Sequence, residues 1–204
     1  MGTRASGPVQ GSALMADTKR LLRSPAVQYL VLFGLVTLAI FSVLATPWAE
    51  RIFVKPFTQG LVEVSAALIR PFDSRVQAVG DILSFSDGRG AVQVLAGCNA
   101  VEVCALLVAA ILAFPGKLKY GLIGAGVGVL ALQTVNLARI ISLLYLSRGS
   151  QEVFEFFHNY VWDALIGLEG LLVFFIFARW QARRAAADAA GNGPPPSGGA
   201  AVAA

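Results

Sequence analysis

The sequence predicts an all-α integral membrane protein, on three observations. Hydrophobic residues make up 56% of the 204 and charged residues only 14%, whereas a soluble domain is about a quarter charged. The apolar residues are gathered into charge-poor stretches of bilayer length. The bases cluster beside those stretches, so a net charge of +4 and a pI near 9.4 read as membrane anchors and not as a nucleic-acid footprint.

Residues 1–25 are polar and small, with Arg4, Lys19, Arg20 and Arg23, and predict a disordered N-terminal segment on the inner side. They do not make a cleaved leader, because the apolar run that follows is about 20 residues, too long for a leader's apolar core. Residues 26–46 carry no charge and predict the first span. Pro47 stops it, and Trp48 suits an interface. Residues 47–97 form an outer insertion. Acidic, basic and apolar residues mix at helical spacing over 50–70, which predicts an amphipathic helix on the membrane surface. Two short alternating runs around Ser86-Asp87-Gly88-Arg89-Gly90 then predict a short β-hairpin.

Residues 98–114 predict a second span interrupted only by Glu102, closed by Pro115-Gly116 and followed by Lys117 and Lys119. Residues 120–146 predict a third with one charge, Arg139, and residues 160–178 a fourth, closed by Arg179, Arg183 and Arg184. The Ala-, Gly- and Pro-rich residues 181–204 predict a disordered tail. The short loops on one side hold the unmatched bases, which predicts four spans with both termini inside.

That topology sets three unusual residues at one depth. Cys98 opens the second span at its outer end, Arg139 and Asn136 come late in the third, and His158 precedes the fourth. A thiolate, not a thiol, is the attacking species, and a helix N-terminus or a nearby cation favours negative charge. His158, the single histidine, could take the proton from Cys98 and return it to a leaving amine. Arg139 could hold a substrate backbone or an oxyanion. An ionisable residue so deep in an apolar segment points to function, although a long side chain can also snorkel to the headgroups. Asn136, one turn before Arg139, could orient it or donate to the oxyanion. Glu102, four residues past Cys98 on a helix, could pair with Arg139 or serve packing.

The remaining candidates carry plainer readings. Cys104 reads as a small core residue, and two cysteines six apart on one helix cannot bridge. Glu155 could orient His158 but reads as solvated, and Trp162 reads as an interface belt residue. One histidine leaves no zinc site in view, and no cofactor is expected.

The stretches GCNAVEVCALLVAAILAFPGKLK, TVNLARIISLLYL and FEFFHNYVWDALIGLEGLLVFF resemble the exosortase/archaeosortase family, most closely its exosortase H branch, over roughly residues 26–180. The family's Cys at the start of a span, Asn-x-x-Arg in the next and His before the last fall on Cys98, on Asn136 and Arg139, and on His158. Asn99-Ala100 stands where other members more often carry Ser-Gly. The resemblance implies a multi-pass protein of the bacterial inner membrane with its active site on the periplasmic face. It implies a thiol protease or transpeptidase that acts on exported proteins. Their sorting signal would be a short C-terminal motif of the Ile-Pro-Thr-Leu…Trp-Gly type, a membrane helix and a basic tail. Cys98 would form the acyl-enzyme. The alternative is a non-enzymatic membrane adaptor or assembly protein. A transporter predicts charges through the whole bilayer, and the inner halves of these spans have almost none.

Overall fold

The computed structural model describes residues 24–191, a chain of helices with one small sheet. Helix α1 (Pro25–Leu44) begins where the sequence places it, because Ser24 accepts a hydrogen bond from the Val27 amide and Pro25 occupies the first turn. It is apolar on every face and buries none of its residues, the profile of a helix solvated by lipid. Thr46 caps the next helix by accepting from the Ala49 amide at 3.2 Å. That helix, α2 (Pro47–Ile69), contains a π-turn over Glu50–Val54.

The sheet is antiparallel, in the order β1 (Val76–Val79), β2 (Ile82–Phe85), β3 (Ala91–Gln93). The hairpin around Ser86–Gly90 joins β2 to β3, as the sequence predicts. A second hairpin joins β1 to β2 through Gly80-Asp81, with Val79 opposite Ile82. Gly80 has φ +64°, the left-handed first position that a two-residue primed turn requires of glycine. One face of the sheet carries Val76, Leu83, Phe85 and Val92. It packs on Leu61, Val62, Ala66 and Ile69 of α2 and on Ile140, Leu143 and Leu144 at the end of α4 (Leu118–Leu146). The sheet is thus packed on the ends of α2 and α4 and shares one core with them.

An ion-pair network pins the sheet. Asp87 meets Arg148, just past α4, at 2.9 Å and Arg75 at 3.5 Å, and Arg148 also lies over the Phe85 ring at 4.2 Å. Arg75 binds Asp73 at 2.8 Å. Hydrogen bonds from Arg75 hold the Asp73 carboxyl well below its ordinary range, at about 2.

Two boundaries differ from the sequence reading. The span expected over 98–114 shrinks to α3 (Val101–Ala113), only roughly 20 Å long against a hydrocarbon core of about 30 Å. Conversely α2, expected to lie on the surface, is long and apolar enough to cross a membrane. Among the described residues four helical stretches meet that description: Pro25–Leu44, Pro47–Ile69, Leu118–Leu146 and Gln151–Asp188. The tail also differs. Helix α6 (Trp162–Gly191) runs through residues expected to be disordered, because Gln-Ala-Arg-Arg-Ala-Ala-Ala is made of strong helix formers. The rest of the tail, 192–204, and residues 1–23 lie outside the described residues.

Close approach of α3, α4 and α6 rests on glycines. A Cβ at Gly128 of α4 would meet Leu107 of α3 at 2.8 Å and Val173 of α6 at 3.1 Å, and one at Gly124 would collide with the Phe177 ring. Small residues that let backbones approach closely are the packing device of helices that sit in lipid.

Candidate active site

Cys98 lies outside the helix in which the sequence reading placed it. The turn Gly97-Cys98-Asn99-Ala100 links the region after β3 to α3. Two of its residues are left-handed, Gly97 at φ +88° and Ala100 at φ +57°. A left-handed alanine costs on the order of 1 kcal/mol, and such strain persists only where the surroundings enforce it. Those surroundings are visible. The Cys98 amide donates to the Leu95 carbonyl at 3.0 Å. The Asn99 side chain donates to Thr58 Oγ1 of α2 at 2.9 Å and accepts from the Val101 amide at 3.1 Å, a turn bond just ahead of α3. The Asn99 carbonyl accepts from Gln133 Nε2 of α4 at 3.1 Å. Gln133 also donates to Cys104 Sγ at 3.4 Å and accepts from Asn136 Nδ2 at 3.2 Å. A buried polar network from three helices therefore locks the turn at Asn99, next to Cys98.

The thiol sits half-buried, 3.2 Å from His158 Nε2. His158 occupies a π-turn, Phe157–Val161, between α5 (Gln151–Phe156) and α6. π-turns insert one extra residue and are frequent at functional sites. The ring stacks on Phe154 at 5.7 Å between centroids and 8° between planes. Its other nitrogen, Nδ1, is 2.9 Å from Asn159 Oδ1. With Nδ1 carrying the proton and donating to Asn159, the Nε2 lone pair faces the thiol, the arrangement a general base needs.

Arg139 is 3% exposed and joins these parts. Its Nη2 is 2.9 Å from Asp163 Oδ1, 3.5 Å from the His158 carbonyl and 3.9 Å from Cys98 Sγ. Its Nε has no hydrogen-bond partner among the described residues. Arg139 lies roughly 32 Å along α4 from Leu118, close to one hydrocarbon thickness.

The structure thus brings Cys98, Arg139 and His158 together from three elements. It rearranges the supporting residues. Asn136 is fully buried and meets Gln133, not Arg139, and its Oδ1 has no partner among the described residues. The pairing of Glu102 with Arg139 does not form. Asp163 takes that place, and because Cys98 lies outside α3, Glu102 shares no helix face with it. Glu155 is exposed and accepts from Gln151, so it does not orient the imidazole. Trp162 is half-buried against the core beneath the sheet. Cys104 is buried in the α3 core.

Sequence reasoning missed Asn99, Thr58, Gln133, Asn159 and Asp163. Signals existed for two. Gln133-x-x-Asn136-x-x-Arg139 is a polar ladder at helical spacing in an apolar segment, and Asp163 is an acid five residues beyond His158. A cavity of about 250 Å³ adjoins the site, lined by Gly97, Ala100, Val103, Arg139, Asp163 and Ile166 with Gly167.

No family model, curated protein or solved structure matches this chain.

Proposed function

We propose that the protein is a membrane cysteine peptidase or transpeptidase of the exosortase kind. The observation that carries the reading is the buried arginine and the histidine meeting one thiol, with His158 Nε2 at 3.2 Å and Arg139 Nη2 at 3.9 Å from Cys98 Sγ. A structural cysteine needs neither.

In the proposed reaction His158 Nε2 takes the thiol proton as Sγ attacks a peptide carbonyl carbon. The C–N bond breaks, the proton passes to the leaving amine, and a thioester to Cys98 remains. Water or an acceptor amine then attacks the thioester, the C–S bond breaks, and the proton returns to sulfur. Asp163 holds the guanidinium beside the thiol, and Arg139 Nε is the donor left for an oxygen of the substrate. The turn at Cys98, with left-handed residues at Gly97 and Ala100, holds the thiol beside His158.

The proposed substrates are exported proteins carrying a C-terminal motif, a membrane helix and a basic tail. The proposed location is the inner membrane, with the site on the periplasmic face. The positive-inside pattern of the short loops supports that orientation.

The test is co-expression with a reporter protein bearing the Trp-Gly-type motif, a membrane helix and a basic tail, using wild type and Cys98→Ser. A size shift that requires Cys98 supports the reading, and the mass of the new C-terminus separates hydrolysis from transfer. A shift that persists in Cys98→Ser sinks it. No shift with either inserted protein moves the weight to a membrane adaptor.

A further inference from the structure

Two cavities lie between α3 and α6, and both are lined by Val103 and Gly167. The first is the cavity of about 250 Å³ that ends on Arg139 and Asp163. The second, about 390 Å³, has Tyr29 and Phe33 of α1 on one side and Leu171 and Phe174 of α6 on the other. They share two wall residues, so they adjoin along α3, and the first gives the pair a polar end at the candidate active site.

Gly167, Gly170, Leu171 and Phe174 stand at i, i+3, i+4 and i+7, so one face of α6 forms the wall. Its two glycines differ. A Cβ at Gly170 would meet Val103 at 3.3 Å, so that glycine serves helix packing. A Cβ at Gly167 would meet nothing within 4 Å. Glycine weakens a helix interior relative to alanine, and neither packing nor backbone conformation requires it at this position.

The polar end is specific. Arg139 is almost fully buried, lines the first cavity, and leaves Nε without a partner among the described residues. A buried N–H donor in that state calls for an acceptor oxygen. Asp163 already balances the guanidinium charge at 2.9 Å. The end therefore suits an uncharged carbonyl oxygen better than an anionic phosphate. The remaining walls are apolar and belong to helices suited to lipid, so the occupant is apolar along its length.

Resting on the cysteine-peptidase reading, we propose that the two cavities form one groove and that it seats the uncharged, apolar segment adjoining the cleaved bond of a membrane-anchored polypeptide. Gly167 is then a specificity-determining residue, small so that the segment's backbone can come close and its carbonyl can reach Arg139.

The experiment uses the full chain in lipid nanodiscs. The probe is a synthetic peptide with an apolar helix of about 20 residues, a Lys-rich tail and a benzophenone side chain in the first turn of the helix. Photo-crosslinks should map to Val103, Leu171 and their neighbours. They should persist in Gly167→Ala and fall about tenfold or more in Gly167→Phe, where a bulky ring overfills the groove. Iodoacetamide labelling of Cys98 in Gly167→Phe should match wild type, which shows that the site is intact. If that variant does not fold, Gly167→Leu replaces it.

Crosslinks that map instead to the α4/α6 cavity at Ile123 and Trp180, that survive Gly167→Phe, or that never form overturn the proposal. So does loss of crosslinking on addition of phospholipid but not of an uncharged detergent, which would mark a lipid site. Groove crosslinks without Cys98-dependent cleavage of the reporter would leave the groove standing and sink the peptidase reading alone.

Discussion

Replacing Asn99 by alanine tests whether the turn carrying the thiol is held by its polar contacts. The substitution removes two side-chain bonds, one to Thr58 and one from the Val101 amide. Loss of the bond from the Val101 amide costs about 1 kcal/mol. Loss of the buried bond to Thr58 costs about another. The sum, about 2 kcal/mol, is roughly a 30-fold shift in the unfolding equilibrium. Thr58→Val keeps the shape but leaves Asn99 Nδ2 without its acceptor, so it should cost about 1 kcal/mol. The assay is denaturant unfolding in mixed micelles, followed by circular dichroism, for both single variants and the double variant. The double variant should fall short of additivity by about 1 kcal/mol, the signature of two residues in contact. Asn99→Ala within about 0.5 kcal/mol of wild type, the range of an inert surface change, would refute the reasoning. Full additivity with Thr58→Val would refute the contact.

Arg139→Lys keeps the charge but loses the rigid guanidinium that sets Nη2 beside Asp163, the His158 carbonyl and the thiol, and it removes the unpartnered Nε donor. Reporter processing should drop about a hundredfold, while Asp163→Asn, which leaves Arg139 in place, should lose less. In packing, Gly128→Leu should destabilise the bundle by about 1–3 kcal/mol in the same unfolding assay, because Leu107 and Val173 already fill its space. Gly126→Ala, whose Cβ meets nothing within 4 Å, should be neutral or slightly stabilising. Asp73 sets an acid limit on the sheet. Its carboxyl titrates at about 2 when folded against an ordinary value of 3.8. A depressed carboxyl contributes stability above its unfolded value and loses it as pH falls through the window from about 4 to about 2. Amide exchange in β1 and β2 should therefore accelerate below pH of about 4, and Asp73→Asn should remove that dependence.

The site was largely legible because ionisable groups stand out against apolar segments. A lone arginine in an uncharged run and a lone histidine at the mouth of another leave few choices. The supporting residues were hidden for the same reason in reverse. Thr58 and Asn99 are uncharged and short, and nothing in hydropathy distinguishes a satisfied polar side chain from a tolerated one. The start of α3 was misplaced by three residues because Cys-Asn-Ala has the same apolar character in a strained turn as in a helix. Only the backbone reveals that Ala100 is left-handed. The second hairpin was readable, since Gly80-Asp81 between alternating runs is a turn signal. The helix past residue 180 was readable too, but the Pro- and Gly-rich end that follows drew the whole tail into one reading.

The separation of Cys98 from His158 along the chain also sets a clock. The sulfur and the imidazole that faces it are sixty positions apart. At translation rates of about 5–20 residues per second, roughly 3–12 s pass between synthesis of one and of the other. Arg139 arrives within that interval, and Asp163, which fixes its guanidinium, arrives last. A half-made chain thus carries the sulfur without the imidazole that faces it. The contact becomes available only once residue 158 has been made, so on the proposed reading the order of synthesis leaves the thiol without its base until the last quarter of the chain is made.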